Sequence, residues 1–265
     1  MAATSVDYMK DRRGMADDLS SGSVHLWIYA HPLEEALAGE GEGLKAVSDA
    51  EMERAQRFHF ARDRQQFLAS RILLRQALTH YVPQVEPRDW AFAALDKGKP
   101  YISRPTGCKL QFNMSHTRGM IALAFALGSI GVDAEWVDRA MLDMEGTIPK
   151  FFEAFERAYL GAYKSEGWQR RFLDIWTLKE ARLKASGLGL SGISESGDLA
   201  FDGNGILSQF ATLHRWRLWQ ADIGADHKLA LAYPVTATRV ATFLASPTQS
   251  PTECSWIQPN WQTLE

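Results

Sequence analysis

Only two cysteines occur in the 265 residues, Cys108 and Cys254, and they stand far apart. That excludes a disulfide-built scaffold and a cysteine-clustered zinc site. Neither sign of charge predominates: 29 basic against 32 acidic side chains leave a net charge of −3. General nucleic-acid binding relies on a basic surface, so that class is excluded, and any anion site must be a local cluster. Long apolar runs are missing as well. The longest, MIALAFAL at 120–127, falls far short of the roughly 20 residues that cross a bilayer. The opening stretch, MAATSVDYMKDRRGMADDLSSGS, lacks the apolar core of a secretory signal. No GxSxG, HExxH or paired-cysteine pattern supports a serine hydrolase, a zinc protease or a zinc centre. The expectation is a cytosolic protein with no membrane and no nucleic-acid partner.

The chain is 46% hydrophobic, enough for one large or two small domains with a substantial core. VHLWIYA (24–30) reads as a buried strand, and Ser48 with Glu51 forms a capping box that opens a short helix near 49–57. A long helix follows from about Arg62 to Tyr81, with Phe67, Leu74, Leu78 and Tyr81 on one face. DWAFAAL (89–95) runs as a strand into the turn DKGKP. Residues 120–127 and 130–135 are strands across Gly128-Ser129, which suits a tight connection. The segment 147–185 is helical with an interruption near 165–167, and 213–223 and 227–235 are further strands. Strands and one long helix thus occur twice, which predicts an α+β fold of two similar halves with a ligand cleft between them. The expected divisions are a loose extension (1–23), an N-terminal half (24–128), a C-terminal half (129–236) and a polar, poorly packed extension (237–265).

Several segments carry charge in unusual places. In GVDAEWV, Asp133 and Glu135 lie two apart on a strand and face the same way. Such a pair repels unless a positive group joins it, and a hard divalent ion such as Mg²⁺ suits oxygen ligands, although a solvated strand end is the plainer reading. FNMSHTRG (112–119) sets Asn113, Ser115 and His116 before an apolar strand, as phosphate contacts or as ordinary hydrogen-bonded structure. Lys97 and Lys99 flank Gly98 in a turn that either grips an anion or is simply solvated. Arg71 falls inside the apolar stripe of its helix and needs an acid, a carbonyl or a ligand phosphate; a structural partner is favoured. In WTLKEARLKASGLGL (176–190), Lys179 sits within the buried stripe, while Glu180 and Lys184 flank it four apart.

Taken in order, RFHFARD, GKP, FNMSH, GVDAE and WTLKEARLKASGLGL resemble the 4′-phosphopantetheinyl transferases, specifically the large surfactin-synthetase-activating type, over roughly residues 24–235. The resemblance implies two pseudo-symmetric halves in a monomer with the active site in the cleft. It implies transfer of the phosphopantetheine arm of coenzyme A to a serine of an acyl, peptidyl or aryl carrier protein, releasing adenosine 3′,5′-bisphosphate. By matching position, Asp133, Glu135 and Glu180 are the implied Mg²⁺ carboxylates. Lys184 and His116 are implied phosphate contacts, Ser115 and Asn113 lie beside the coenzyme, Lys97, Gly98 and Lys99 border it, and Arg54 meets its 3′-phosphate. The implied base is Glu180 or a metal-bound water, and Glu156 matches a family glutamate. Two positions depart: Glu51 stands where a second lysine near the 3′-phosphate is expected, and Ala94 where some relatives carry a basic residue. The competing readings are a metal-dependent hydrolase of a nucleotide diphosphate and a non-catalytic coenzyme A or carrier-binding module.

Overall fold

The computed structural model describes residues 15–30, 42–138, 144–162, 167–189, 192, 199–202, 205–209, 216–245 and 252–253. Helices are α1 (15–20), α2 (Glu42–Lys45), α3 (Asp49–Gln56), α4 (Ala61–Tyr81), α5 (Met144–Phe151), α6 (Ala154–Ala162) and α7 (Trp168–Ser186). Strands are β1 (Ser23–Tyr29), β2 (Ala91–Ala94), β3 (Pro100–Arg104), β4 (Gln111–Thr117), β5 (Met120–Ala126), β6 (Gly131–Trp136), β7 (Leu199–Asp202), β8 (Gly205–Gln209), β9 (Trp216–Ile223), β10 (His227–Pro234), β11 (Arg239–Leu244) and β12 (Thr252–Glu253).

Two sheets face each other with one long helix outside each. The first sheet runs β12-β11-β1-β5-β4 and the second β6-β10-β9. Alternation along the strands sends one set of side chains to each face. Val24, Leu26, Ile28, Ala122 and Ala124 of the first sheet meet Val132, Ala134, Leu229, Leu231 and Tyr233 of the second. On the outer face of the first sheet, α4 packs Leu73, Leu74, Ala77 and Leu78 against Trp27, Ile121, Leu123 and Phe125. On the outer face of the second, α7 packs Phe172, Ile175, Leu178, Ala181 and Ala185 against Ala230 and Ala232. The α+β expectation holds, in two sheet-plus-helix units. Ser48 and Glu51 form the capping box on α3. Among the described residues, no helix is long and apolar enough to cross a membrane.

Three expectations change. Strands β5 and β6 do not form a tight pair, because β1 and β4 already occupy both edges of β5, and β6 begins the second sheet. A Cβ on Gly131 would collide with Ala181 O and Ala185 N, so only glycine lets β6 enter flush against α7. The segment after Thr236, expected as loose, returns to the first sheet: β11 pairs parallel with β1 and buries Val240, Ala241 and Phe243. The N-terminal extension is also partly anchored. Met15 and Leu19 of α1 join the core, and Asp18 bonds to Ser23 Oγ (2.8 Å) and His25 Nε2 (2.9 Å). Cys254 and residues 1–14 lie outside the described residues.

Lys179, the cation within the stripe of α7, is 1% exposed and bonds both carboxylate oxygens of Glu156, at 2.9 and 2.8 Å. Glu156 is itself fully buried and also accepts from the N–H of Glu153. The pair fastens α6 to α7 beside the stacked rings of Phe152 and Phe172. Removing one partner strands a buried charge, at a cost of about 3–5 kcal/mol. Glu156→Leu alone should therefore show that loss in urea unfolding, while Glu156→Leu with Lys179→Met should recover most of it.

Candidate active site

The two sheets are joined along one seam. The N–H groups of Val132, Ala134 and Trp136 lie on the edge of β6 away from β10, where no strand among the described residues pairs with them. Side chains from alternate positions of β4 take their place. Asn113 Oδ1 accepts from Val132 (2.8 Å), Ser115 Oγ from Ala134 (3.2 Å) and Thr117 Oγ1 from Trp136 (3.1 Å). This ladder fixes the height of β6 against β4. Period-two alternation in NMSHT was the available signal for Thr117, which the sequence reading missed.

The other face of β6 turns towards α7 and carries Asp133 and Glu135, 4% and 7% exposed. Asp133 Oδ1 accepts from Lys184 Nζ at 2.6 Å and Ser115 Oγ at 3.1 Å. Ser115 Oγ also accepts from Lys184 Nζ at 3.0 Å, so its one donor and two acceptor positions are all in use. Asp133 Oδ2 is buried and makes no hydrogen bond. One turn before Lys184, the half-buried Glu180 shares this field. Burial raises its pKa from 4.5 to about 7; Asp133 and Glu135 push the same way, against Lys184. His116 projects from the opposite face of β4 and reaches solvent. Its pKa is lowered, first by loss of surrounding water and then by Lys184 and Arg71.

The glycine run after α7 forms a second wall. Gly187 caps the helix in the left-handed conformation (φ 74°), and its N–H returns to Leu183 O. A Cβ there would press on Lys99, and one on Gly189 would approach Lys97, so the 187–189 segment lies against the Lys97–Gly98–Lys99 turn. Lys97 and Gly98 are exposed on this turn. Lys99, expected to border the coenzyme, points inward and donates to Ala185 O (2.7 Å) and Ile130 O (3.2 Å). Burial lowers its pKa to about 8. Asn113, expected beside the coenzyme, is 4% exposed and serves the ladder.

Arg54 is exposed at the end of α3, with its guanidinium 5.3 Å from the Phe67 ring centroid. Glu51 fills a structural role: besides the cap, its Oε2 accepts from Arg75 Nε at 2.8 Å. The structure thus gathers Ser115, Asp133 and Lys184, with Glu180 and Glu135 in the same field, around one end of α7; His116 stands on the other face of β4, and Arg54 near the start of α4. Among the described residues, no three His, Cys, Asp or Glu side chains form a ready-made metal cage. The unmatched Asp133 Oδ2, and the repulsion from Asp133 and Glu135 that adds to burial in raising Glu180, are features a hard cation relieves.

Comparison with known proteins points to one family. Residues 129–233 match the 4′-phosphopantetheinyl transferase superfamily, and residues 41–127 match 4′-phosphopantetheinyl transferase, N-terminal. The 4′-phosphopantetheinyl transferase HetI of Nostoc sp. is 35% identical over 179 residues, covering 67% of this chain and 74% of its own. The chain belongs to the 4′-phosphopantetheinyl transferase family. Other members differ in extent of similarity. Sfp of Bacillus subtilis is 28% identical over 166 residues, with 62% of this chain and 71% of its own covered. The L-aminoadipate-semialdehyde dehydrogenase-phosphopantetheinyl transferase of Schizosaccharomyces pombe is 27% identical over 242 residues, covering 83% and 89%. The two family matches meet between β5 and β6, where the chain passes from the first sheet to the second.

A carboxyl whose pKa is raised on folding binds its proton more tightly in the folded state. The stability it contributes is complete below about pH 4.5 and is lost as pH rises through about 7. In chelator-treated protein, the unfolding free energy should decline across that window, and Glu180→Gln should flatten the decline. Denaturant titrations at intervals across the window check this; identical profiles for the two proteins would count against the assignment.

Proposed function

We propose that the end of α7 is the active site of a phosphopantetheinyl transfer reaction, with coenzyme A as donor and a serine of a carrier protein as acceptor. The single observation that carries this reading is the joining of Asp133, Ser115 and Lys184 across the seam, with Glu180 one turn away. It sets anionic oxygen donors and a partly exposed ammonium side by side, the combination a diphosphate substrate needs. In the reaction the serine oxygen bonds to the β-phosphorus of coenzyme A. The bond to the α-phosphate oxygen breaks, and adenosine 3′,5′-bisphosphate leaves.

Asp133, Glu135 and Glu180 would hold Mg²⁺, since oxygen ligands and the unmatched Asp133 Oδ2 suit a hard cation. Bound there, Mg²⁺ would neutralise charge on the diphosphate. Lys184, 28% exposed at the cleft, donates to the diphosphate oxygens where charge builds on the leaving side. His116, kept neutral by its lowered pKa, donates a second hydrogen bond to phosphate. Glu180 is the base on this reading and accepts the serine proton. The further reading is a cytosolic monomer of the surfactin-synthetase-activating type, modifying acyl, peptidyl or aryl carriers.

Incubation with coenzyme A, Mg²⁺ and a panel of apo carrier proteins, followed by intact mass measurement, tests the reaction. The expected result is a phosphopantetheine adduct on at least one carrier, and no adduct with any carrier would remove the reading. Asp133→Ala should abolish transfer while the protein remains folded. Lys184→Ala should lower kcat roughly ten- to a hundredfold, as expected for loss of a charged hydrogen bond strengthened in the transition state.

A further inference from the structure

On the side of the second sheet that faces α7, one row of residues is charged. Glu135 on β6, Lys228 on β10 and Asp222 on β9 are consecutive cross-strand partners. Their side chains therefore share a face, with neighbouring Cβ atoms about 5 Å apart. The lysine stands between two acids at that spacing, and its four-carbon stem reaches either side. It takes the outer one. Lys228 Nζ lies 2.7 Å from Asp222 Oδ1 and 2.5 Å from Oδ1 of Asp174, which α7 sets above the row. Among the described residues these are its two ion pairs, and Glu135, its other cross-strand neighbour, is in neither. Both acids are held from behind. Asp174 Oδ2 accepts from Arg171 Nη1 at 3.0 Å, and Asp222 Oδ1 meets Arg170 Nη2 at 3.2 Å. Gln220 Nε2 donates to Asp174 O (2.8 Å) and Thr177 Oγ1 (2.7 Å), which fixes this turn of α7 against β9. The side chains of Lys228 and Asp174 are each 8% exposed, so each charge depends on its protein partners rather than on water. Two residues along β10, Ala230 stands beside Asp133 and brings no charge.

We infer that Asp174 and Asp222 are positioning residues that hold the Lys228 ammonium away from Glu135, so that it does not compete with a divalent cation there. The inference rests on the proposed assignment of Asp133, Glu135 and Glu180 to Mg²⁺. An ammonium drawn to Glu135 would repel a metal ion at the same oxygens. Two acids on one side of Lys228 outweigh a single acid on the other, because their attractions add. A move to Glu135 would also leave the enclosed Asp174 with Arg171 alone against its charge. Asp174 and Asp222 thus act through Lys228 and Glu135, on metal affinity rather than on the reacting groups.

The test titrates chelator-treated protein with Mn²⁺ in the presence of coenzyme A and reads the free ion by electron paramagnetic resonance, with coenzyme A alone as the blank. Transfer is measured in parallel at varied Mg²⁺. Asp174→Asn with Asp222→Asn should release Lys228 to Glu135 and raise the Mn²⁺ dissociation constant roughly tenfold or more. Transfer should show the same change as a raised KM for Mg²⁺, with kcat at saturating Mg²⁺ largely kept. Adding Lys228→Met should restore most of the Mn²⁺ affinity, although both acids remain absent. If the double Asn variant unfolds, Asp222→Asn alone, at a side chain 45% exposed, gives the same comparison: weaker Mn²⁺ binding that Lys228→Met reverses. Unchanged Mn²⁺ affinity in the Asn variants overturns the inference. A loss that Lys228→Met leaves in place overturns it too, because the missing acids then act without Lys228. A wild-type protein that binds no Mn²⁺ overturns the metal assignment, and this inference with it.

Discussion

The ladder from β4 to β6 is the constraint on which the site depends. An edge strand exposes a row of unpaired N–H groups, and here Asn113, Ser115 and Thr117 cover that row with side-chain oxygens. A neighbouring strand would have used its own backbone for the purpose, and the two sheets would have merged into one. Side chains instead leave β4 in the first sheet and β6 in the second while setting the height of each against the other. Ser115 belongs to the ladder and to the polar cluster at once. Its hydroxyl accepts from the N–H of Ala134 and donates to Asp133. The register of the seam therefore also sets the position of the carboxylate.

Charge around α7 is divided by burial. Lys179 and Glu156 neutralise each other in a fully enclosed pair that holds α6. Lys184, five residues on, keeps an exposed flank and rests on Asp133. Glu180 lies between them in sequence, so the enclosed pair helps to fix the rotation of the helix that presents it. The end of the helix is fixed separately. Lys99 donates to Ala185 O, a carbonyl of the last turn with no intrahelical partner to meet it. The glycines at 187 and 189 allow the Lys97–Lys99 turn to approach. Interactions away from the carboxylates thus hold the element that carries Glu180 and Lys184.

Much of the fold was legible because it follows local periodicity. The stripe of α4, the Ser48–Glu51 cap, the strand of 24–30 and the alternation of 216–223 needed no distant partner to be recognised. Asp133 and Glu135 on one face, and Glu180 four before Lys184, follow from the geometry of strand and helix. The order of the five motifs carried the family, since each is short and only their sequence along the chain is specific.

What local pattern leaves open is pairing between distant segments, and there the tertiary structure decided. MIALAFALGSIGVDAEW marks a changeover at Gly128 but not the neighbours of its two strands, because their pairing depends on β1 and β4 occupying both edges of β5. Nor does the composition after Thr236 announce β11, whose short apolar core is stable only beside β1. Residue type named Asn113 and Lys99 as polar and basic, yet polar groups serve ligands or backbone equally well. Their assignment to Val132 and to the end of α7 came from which buried N–H and C=O groups lay within reach. The sequence by itself determined most of the elements and the family; tertiary structure alone decided which charges are neutralised inside the protein and which keep an exposed flank.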